Sequence, residues 1–107
     1  MDQLDVVFSS LGDPTRREII ARLAAGEMPL AQLSEPFNMS QTGVSKHVRV
    51  LSDAGIVRVE KQGRTRICSL EAAPMKEALE WLNRYQKFWT SSLDALERHL
   101  STTNDSK

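Results

Sequence analysis

The sequence predicts a mainly α-helical domain carrying one small β-hairpin, an α+β fold in the order α-α-α-α-β-β-α. Three observations predict it. Apolar residues recur at helical spacing in the first half and again near the C-terminus. Glycine and proline punctuate the first half into short pieces. Between the two helical regions, IVRVEKQGRTRICSL alternates apolar and charged residues around Gln62-Gly63, the pattern of a hairpin.

The elements follow in order. Leu4, Val7, Phe8 and Leu11 share one face of a first helix, which Gly12 ends. Asp13-Pro14 starts a second, because Asp caps and Pro suits the first helical position. Ile19, Ile20 and Leu23 are its inward side, and Gly26 stops it. A short third helix spans about 29–35, with Leu30 and Leu33 inward, and Pro36 cannot continue it. Ser40 is the natural cap of a fourth helix over 40–54, and Met39 with Val44 has the spacing of a hydrophobic staple. Gly55 ends it. In the hairpin Val57 and Val59 alternate with Arg58 and Glu60, then Arg64 and Arg66 with Thr65 and Ile67. A two-stranded hairpin alone is marginal, so it must pack on the helices. Pro74 opens a last helix to about Leu100, whose stripe is Leu82, Tyr85, Trp89, Leu93, Leu96 and Leu100, flanked by Trp81 and Phe88. Residues 1–100 form one domain, and STTNDSK over 101–107 reads as a disordered tail.

Composition narrows the function classes. The 107 residues hold 14 basic and 14 acidic side chains, which excludes a uniformly basic nucleic-acid binder. Charge is nevertheless uneven. From Lys46 to Arg66 there are six basic residues (Lys46, Arg49, Arg58, Lys61, Arg64, Arg66) against Asp53 and Glu60. A single cysteine, Cys68, forms no internal disulfide and fits a reducing compartment. The start, MDQLD, has the wrong charge for a signal peptide, and no apolar run is long enough for a bilayer span, so a cytoplasmic location is expected. No Ser-His-Asp set, phosphate-binding glycine loop or metal-ligand cluster is visible, and no enzyme activity is expected.

A short helix, a tight turn and a second helix make a helix-turn-helix, and the hairpin after it makes a wing. On the fourth helix Val44, Val48 and Leu51 share the core face. The opposite arc holds Thr42, Ser45, Lys46, Arg49 and Asp53, with Gln41 and Ser52 at its edge. A helix of this width fits the DNA major groove, where hydroxyls, amides and guanidinium groups reach base edges and phosphates. A plain solvated helix would also be polar outward. The crowding of short polar residues in the first two turns, between a short helix and a basic hairpin, favours DNA. The candidate contacts are Ser40, Gln41, Thr42, Ser45, Lys46, His47 and Arg49, with Lys61, Arg64 and Arg66 on a basic wing over 58–66. His47 is a boundary residue, packed or phosphate-facing. Gly43 suggests close approach, either by the third helix or by a DNA backbone.

The run LAQLSEPFNMSQTGVSKHVRVLSDAGIVRVEKQGRTRICSL resembles the winged helix-turn-helix core of the ArsR family of bacterial transcriptional regulators. LGDPTRREII resembles that family's second helix, and WLNRYQKFWTSSLDALERHL the last helix of a subgroup, so the resemblance covers about residues 3–100. It implies a homodimer on an imperfect palindromic operator, usually as a repressor, with the first and last helices as the dimer interface. The interface candidates are Leu4, Val7, Phe8, Leu82, Tyr85, Phe88, Trp89, Leu93 and Leu96. One family metal site uses paired cysteines on the helix before the recognition helix, and PLAQLSEPF has none. Another uses paired histidines and carboxylates on the last helix, where only His99 stands with Asp94 and Glu97. No metal or other cofactor is expected. The effector is left open. Two other functions fit the residues: a winged-helix protein-interaction module, and a metal- or thiol-responsive sensor.

Overall fold

The computed structural model describes residues 2–105, without the side chains of Lys87, Trp89 and residues 102–105. In chain order the elements are α1 (Gln3–Ser10), α2 (Pro14–Ala24), β1 (Met28–Pro29), α3 (Leu30–Ser34), α4 (Gln41–Asp53), β2 (Val57–Gln62), β3 (Thr65–Leu70), α5 (Ala72–Arg84) and α6 (Gln86–Asp105). The core is shared between the helices and the sheet. Val7, Ile19, Leu23, Leu30, Leu33, Val44, Val48, Leu51, Ile56, Val57, Cys68 and Ala78 are all buried. Burying each of the Val, Leu and Ile side chains among them stabilises the fold by about 1.5–3 kcal/mol relative to exposure.

Local chemistry explains where the helices begin and end. Asp13 accepts N–H bonds from Thr15 at 2.8 Å and Arg16 at 3.2 Å, capping α2 with Pro14 at its first position. The Ser40 hydroxyl oxygen accepts from Gly43 N–H at 3.0 Å, capping α4. α4 ends in a Schellman motif. Ile56 N–H donates to Leu51 C=O at 3.0 Å and Gly55 N–H to Ser52 C=O at 3.0 Å, with Gly55 at φ +81°. Leu51 and Ile56 are both fully buried, closing that motif with an apolar contact.

The structure departs from the sequence expectation in five ways. First, the sheet has three strands in the order β1-β3-β2. β1 pairs Met28 with Cys68 and Pro29 with Ile67, and so fastens the hairpin to the start of α3. Two residues, one of them a proline, show no alternation to read. Second, Val57 is buried but Val59 is 38% exposed, because the hairpin extends beyond the helical body. Third, the last helix begins at Ala72, with Pro74 in its first turn, where the N–H that proline lacks has no helical partner anyway.

Fourth, the last helix is two helices. Tyr85 (φ −111°, ψ 19°) leaves the helical region between them, its N–H turning to Leu82 C=O at 3.2 Å. α5 lies on α1, where Trp81 stacks edge-on against Phe8 at 5.8 Å and tilted against Tyr85 at 5.2 Å. Fifth, residues 101–105, expected as part of a disordered tail, continue α6. Neither glycine nor proline follows Leu100, so nothing stops the hydrogen-bond ladder. The rest of that tail lies outside the described residues. α6 extends the molecule to 63 × 31 × 25 Å and raises its radius of gyration to 18.1 Å. A compact chain of this length would have about 13 Å.

Candidate nucleic-acid interface

α4 turns Val44, Val48 and Leu51 inward and leaves Gln41, Thr42, Lys46 and Arg49 exposed, with Ser45 and His47 half-buried. Thr42, Ser45 and Arg49 stand three and four residues apart and form one outward stripe. Ser40 uses an oxygen lone pair for the cap, which leaves its proton as a donor. The N–H groups of Gln41 and Thr42 precede the first helical acceptors and carry the positive end of the helix dipole.

The wing meets this stripe. A two-residue loop, Gly63-Arg64, joins β2 to β3, with Gln62 paired to Thr65. Gly63 has φ +64° and no non-glycine residue among those described has positive φ, the type II′ pattern with glycine first. Arg64 therefore sits in the turn itself, not in the strand alternation the sequence suggested. In the strands Lys61 is directly opposite Arg66, and Val59 directly opposite Cys68. All four share the face whose inner end is the buried Cys68. Two cations side by side repel, with a cost of about 0.2–1 kcal/mol for a cross-strand pair. A polyanion between them removes that cost.

Two connected clefts line the junction. One of about 510 Å³ is formed by Leu30, Ala31, Gln41, Thr42, Ser45, Arg64, Thr65 and Arg66. A neighbour of about 270 Å³ includes Ser45, Arg49, Ser52, Val59 and Arg66. The fold thus brings together Gln41, Thr42, Ser45 and Arg49 from α4 with Arg64 and Arg66 from the wing. Lys46 is exposed on α4, and Lys61 stands beside Arg66. Arg58 does not join them. It lies on the other face of β2, with Nη2 2.6 Å from Glu60 and Nη1 3.7 Å from Glu71, so the basic wing is narrower than 58–66. Ala31, Ser52, Val59 and Thr65 line the clefts without having been expected there. Ser52 was visible at the edge of the polar arc, whereas the others depend on how the wing leans.

His47 faces α2. Its Nδ1 is 3.4 Å from Arg16 Nη1. Asp13, nearby, has its carboxyl held below the ordinary value of 3.8; desolvation raises it, but N–H bonds from Arg16 and Thr15 and the charges of His47 and Arg16 outweigh that. Gly43 is not approached by α3. A Cβ there would meet only Ser40 Oγ at 3.4 Å and Met39 Cε at 3.6 Å, ordinary contacts within its own turn. Met39 itself is exposed. Cys68 is fully buried, and desolvation pushes its thiol above the usual 9.0 against a smaller opposing effect of Arg66. That favours the unreactive thiol over the thiolate.

The interface candidates divide. Val7 is 1% exposed and belongs to the protomer's own core, which corrects its assignment to a surface between protomers. Its position on the α1 stripe turns into the core cluster instead of outward. Leu4 and Phe8 are half-buried and border a cleft of about 410 Å³ with Asp5 and Trp81. Leu82 and Tyr85 are exposed, as are Phe88 and Leu93, each at 61%, and Leu96. The Trp89 side chain lies outside the described residues. No helix is long and apolar enough to cross a membrane among the described residues.

The comparisons with known proteins agree with this geometry. Residues 11–60 match a helix-turn-helix domain family. The chain is 30% identical over 76 residues to the transcriptional repressor SdpR of Bacillus subtilis, covering 71% of this chain and 84% of that protein. It is 30% identical over 101 residues to the transcriptional regulator Rv2034 of Mycobacterium tuberculosis, covering 94% and 92%. Among solved structures, the ArsR family regulator RHA00566 superposes with a TM-score of 0.77 at 38% identity, over 83% of this chain and 98% of that one. A possible regulator for arsenical resistance does so at 0.72 and 33%, over 92% and 95%. With a helix-turn-helix, a basic wing and relatives matched along nearly their whole length, this chain belongs to the ArsR family of winged helix-turn-helix transcriptional regulators.

Proposed function

We propose that the protein is a cytoplasmic, dimeric repressor that lays α4 in the major groove of an imperfect palindromic operator and grips the flanking backbone with its wing. It acts by occupying DNA, without catalysis and without a resident metal. The observation that carries this reading is the joint cleft where Gln41, Thr42 and Ser45 meet Arg64 and Arg66. Hydroxyl and amide donors there suit base edges, and the arginines suit phosphates. Repression is the sign suggested by SdpR and by the arsenical resistance repressors of Staphylococcus xylosus and Staphylococcus aureus.

Dimerisation is supported by α6. Twenty residues of helix carry Leu93, Leu96 and Leu100 on an exposed apolar stripe flanked by exposed Phe88, which a second copy would cover. The exposed Leu82 on α5 and Tyr85 at the break after it, with Leu4 and Phe8 on α1, extend that surface.

The test is selection of duplexes from a random-sequence pool by the purified protein, then salt titration of the winner. The wild type selects a palindrome, and Arg49→Ala and Arg66→Ala each lower the slope of log affinity against log salt by about 0.9 for every phosphate left without its cation. Light scattering gives the dimer mass for the wild type and the monomer mass for Leu93→Glu. Failure to enrich any sequence at low salt, or wild-type slopes in both arginine variants, refutes the assigned surface.

A further inference from the structure

The last carbonyls of α1 have no partners inside the helix, and α1 has no basic residue in its own last turn. The Leu11 and Gly12 N–H groups reach Val7, Phe8 and Ser9 C=O, and two arginines of α2 add donors at and just past the helix end. Arg17 Nη1 donates to Leu11 C=O at 2.7 Å. Arg16 Nε donates to Ser10 C=O at 2.6 Å and its Nη2 reaches Ser9 C=O at 3.5 Å. The segment they hold is fixed from within as well, since Ser10 is buried and its hydroxyl donates to Val7 C=O at 2.7 Å. Arg16 is thereby anchored on α1 while its third nitrogen, Nη1, faces Nδ1 of His47 on α4.

A guanidinium carries donors only and keeps its proton at any working pH. A hydrogen bond across this contact therefore needs Nδ1 as the acceptor, and a neutral imidazole that makes it carries its proton on Nε2. His47 stands one residue from Lys46 and two from Ser45 and Arg49, on the half-exposed flank of the DNA-reading helix.

We propose that Arg16 is a positioning residue for DNA reading: anchored on the end of α1, it holds His47 as the Nε2–H tautomer, so that the imidazole donates to a DNA phosphate. This rests on the DNA-binding reading above. It also ties α1, part of the proposed dimer surface, to the recognition helix through one side chain. Arg16→Lys keeps the charge but loses the three-way fork.

The first test needs no DNA. Long-range nitrogen–proton NMR of the imidazoles at neutral pH, assigned against His47→Asn, reads the tautomer directly. The wild type shows His47 unprotonated at Nδ1 and protonated at Nε2, and Arg16→Lys shows a mixture. A wild-type ring protonated at Nδ1 overturns the proposal. On a duplex selected by the wild type, folded Arg16→Lys weakens binding by the reciprocal of the Nε2–H fraction its spectrum shows, about twofold per protomer for an even mixture, with the salt slope unchanged. A slope reduced by about 0.9 means that Arg16 itself touches phosphate and overturns the positioning role. Should Arg16→Lys not fold, His47→Asn decides. It keeps an acceptor for Arg16 and has nothing at the Nε2 position, so it stays folded and binds weakly; wild-type binding overturns the phosphate contact. A wild-type protein that selects no duplex refutes DNA reading itself, and with it that contact, whatever tautomer the spectrum shows.

Discussion

Ser40 separates folding from DNA contact in one position. Its hydroxyl oxygen accepts from Gly43 N–H at 3.0 Å, at an exposed helix end. Removing such a cap costs about 1 kcal/mol, within a range of about 0.5–2. Unfolding entropy near 2.1 cal/mol/K per residue comes to about 0.22 kcal/mol/K for a chain of this length, so Ser40→Ala lowers Tm by about 4 °C. Ser40→Asp should behave in the opposite way. The carboxylate keeps the acceptor and gains about 0.3–1 kcal/mol from the helix dipole. Tm therefore holds or rises. A phosphate about 4 Å away then faces a like charge, at a cost of about 1 kcal/mol in water and more where solvent is excluded. DNA affinity falls at least about fivefold per protomer. Thermal melts at fixed protein concentration and fluorescence anisotropy on a selected duplex measure both effects. A Ser40→Asp protein with undiminished Tm and undiminished affinity would refute the placement of the first turn of α4 against DNA. An unchanged Tm in Ser40→Ala would refute the energetic role of the cap.

Three further outcomes follow from the same geometry. Gly43→Ala adds a methyl that meets only Ser40 Oγ and Met39, so Tm stays level or rises by a degree or two, while duplex affinity drops; unchanged affinity means that no DNA backbone comes close there. Cys68 is buried with its thiol pushed above 9.0, so Ellman's reagent reacts slowly with the native protein and fully after denaturation; its contribution to stability is complete below the unfolded pKa and is lost as pH rises through the higher folded value, seen as a falling Tm on the alkaline side. Asp13 has the reverse sign: with its carboxyl held below 3.8, its contribution is present above that value and disappears as pH falls through the folded one. Asp13→Asn, which still caps α2, has a shallower loss of Tm on acidification than the wild type.

The local elements were legible because their signals are local. Asp13-Pro14, Ser40 and Gly55 mark helix ends through bonds spanning two to five residues, and the structure contains those bonds. The inward face of α4 followed from the helical period, and Val44, Val48 and Leu51 are buried as that period requires. The short strand β1 was not legible, since Met28-Pro29 becomes a strand only by meeting Cys68 and Ile67 some forty residues later. The break at Tyr85 was hidden for a similar reason. No glycine or proline marks it, and the apolar stripe runs through it without interruption.

The candidate site divides along the same line. From the sequence alone came the residue types and the outward stripe of Thr42, Ser45 and Arg49, because helical spacing is a property of the chain itself. Only the tertiary structure decided which basic residues share that stripe's groove. Strand register put Lys61 beside Arg66 on the inner face and sent Arg58 to Glu60 and Glu71 on the other. Packing removed Val7 from the outer surface and turned His47 toward Arg16. It also left Gly43 clear of α3, with only Ser40 and Met39 of its own turn beside its bare Cα. Periodicity fixes direction around one element's axis, whereas proximity between elements depends on contacts far apart in the chain, which no short window of residues contains.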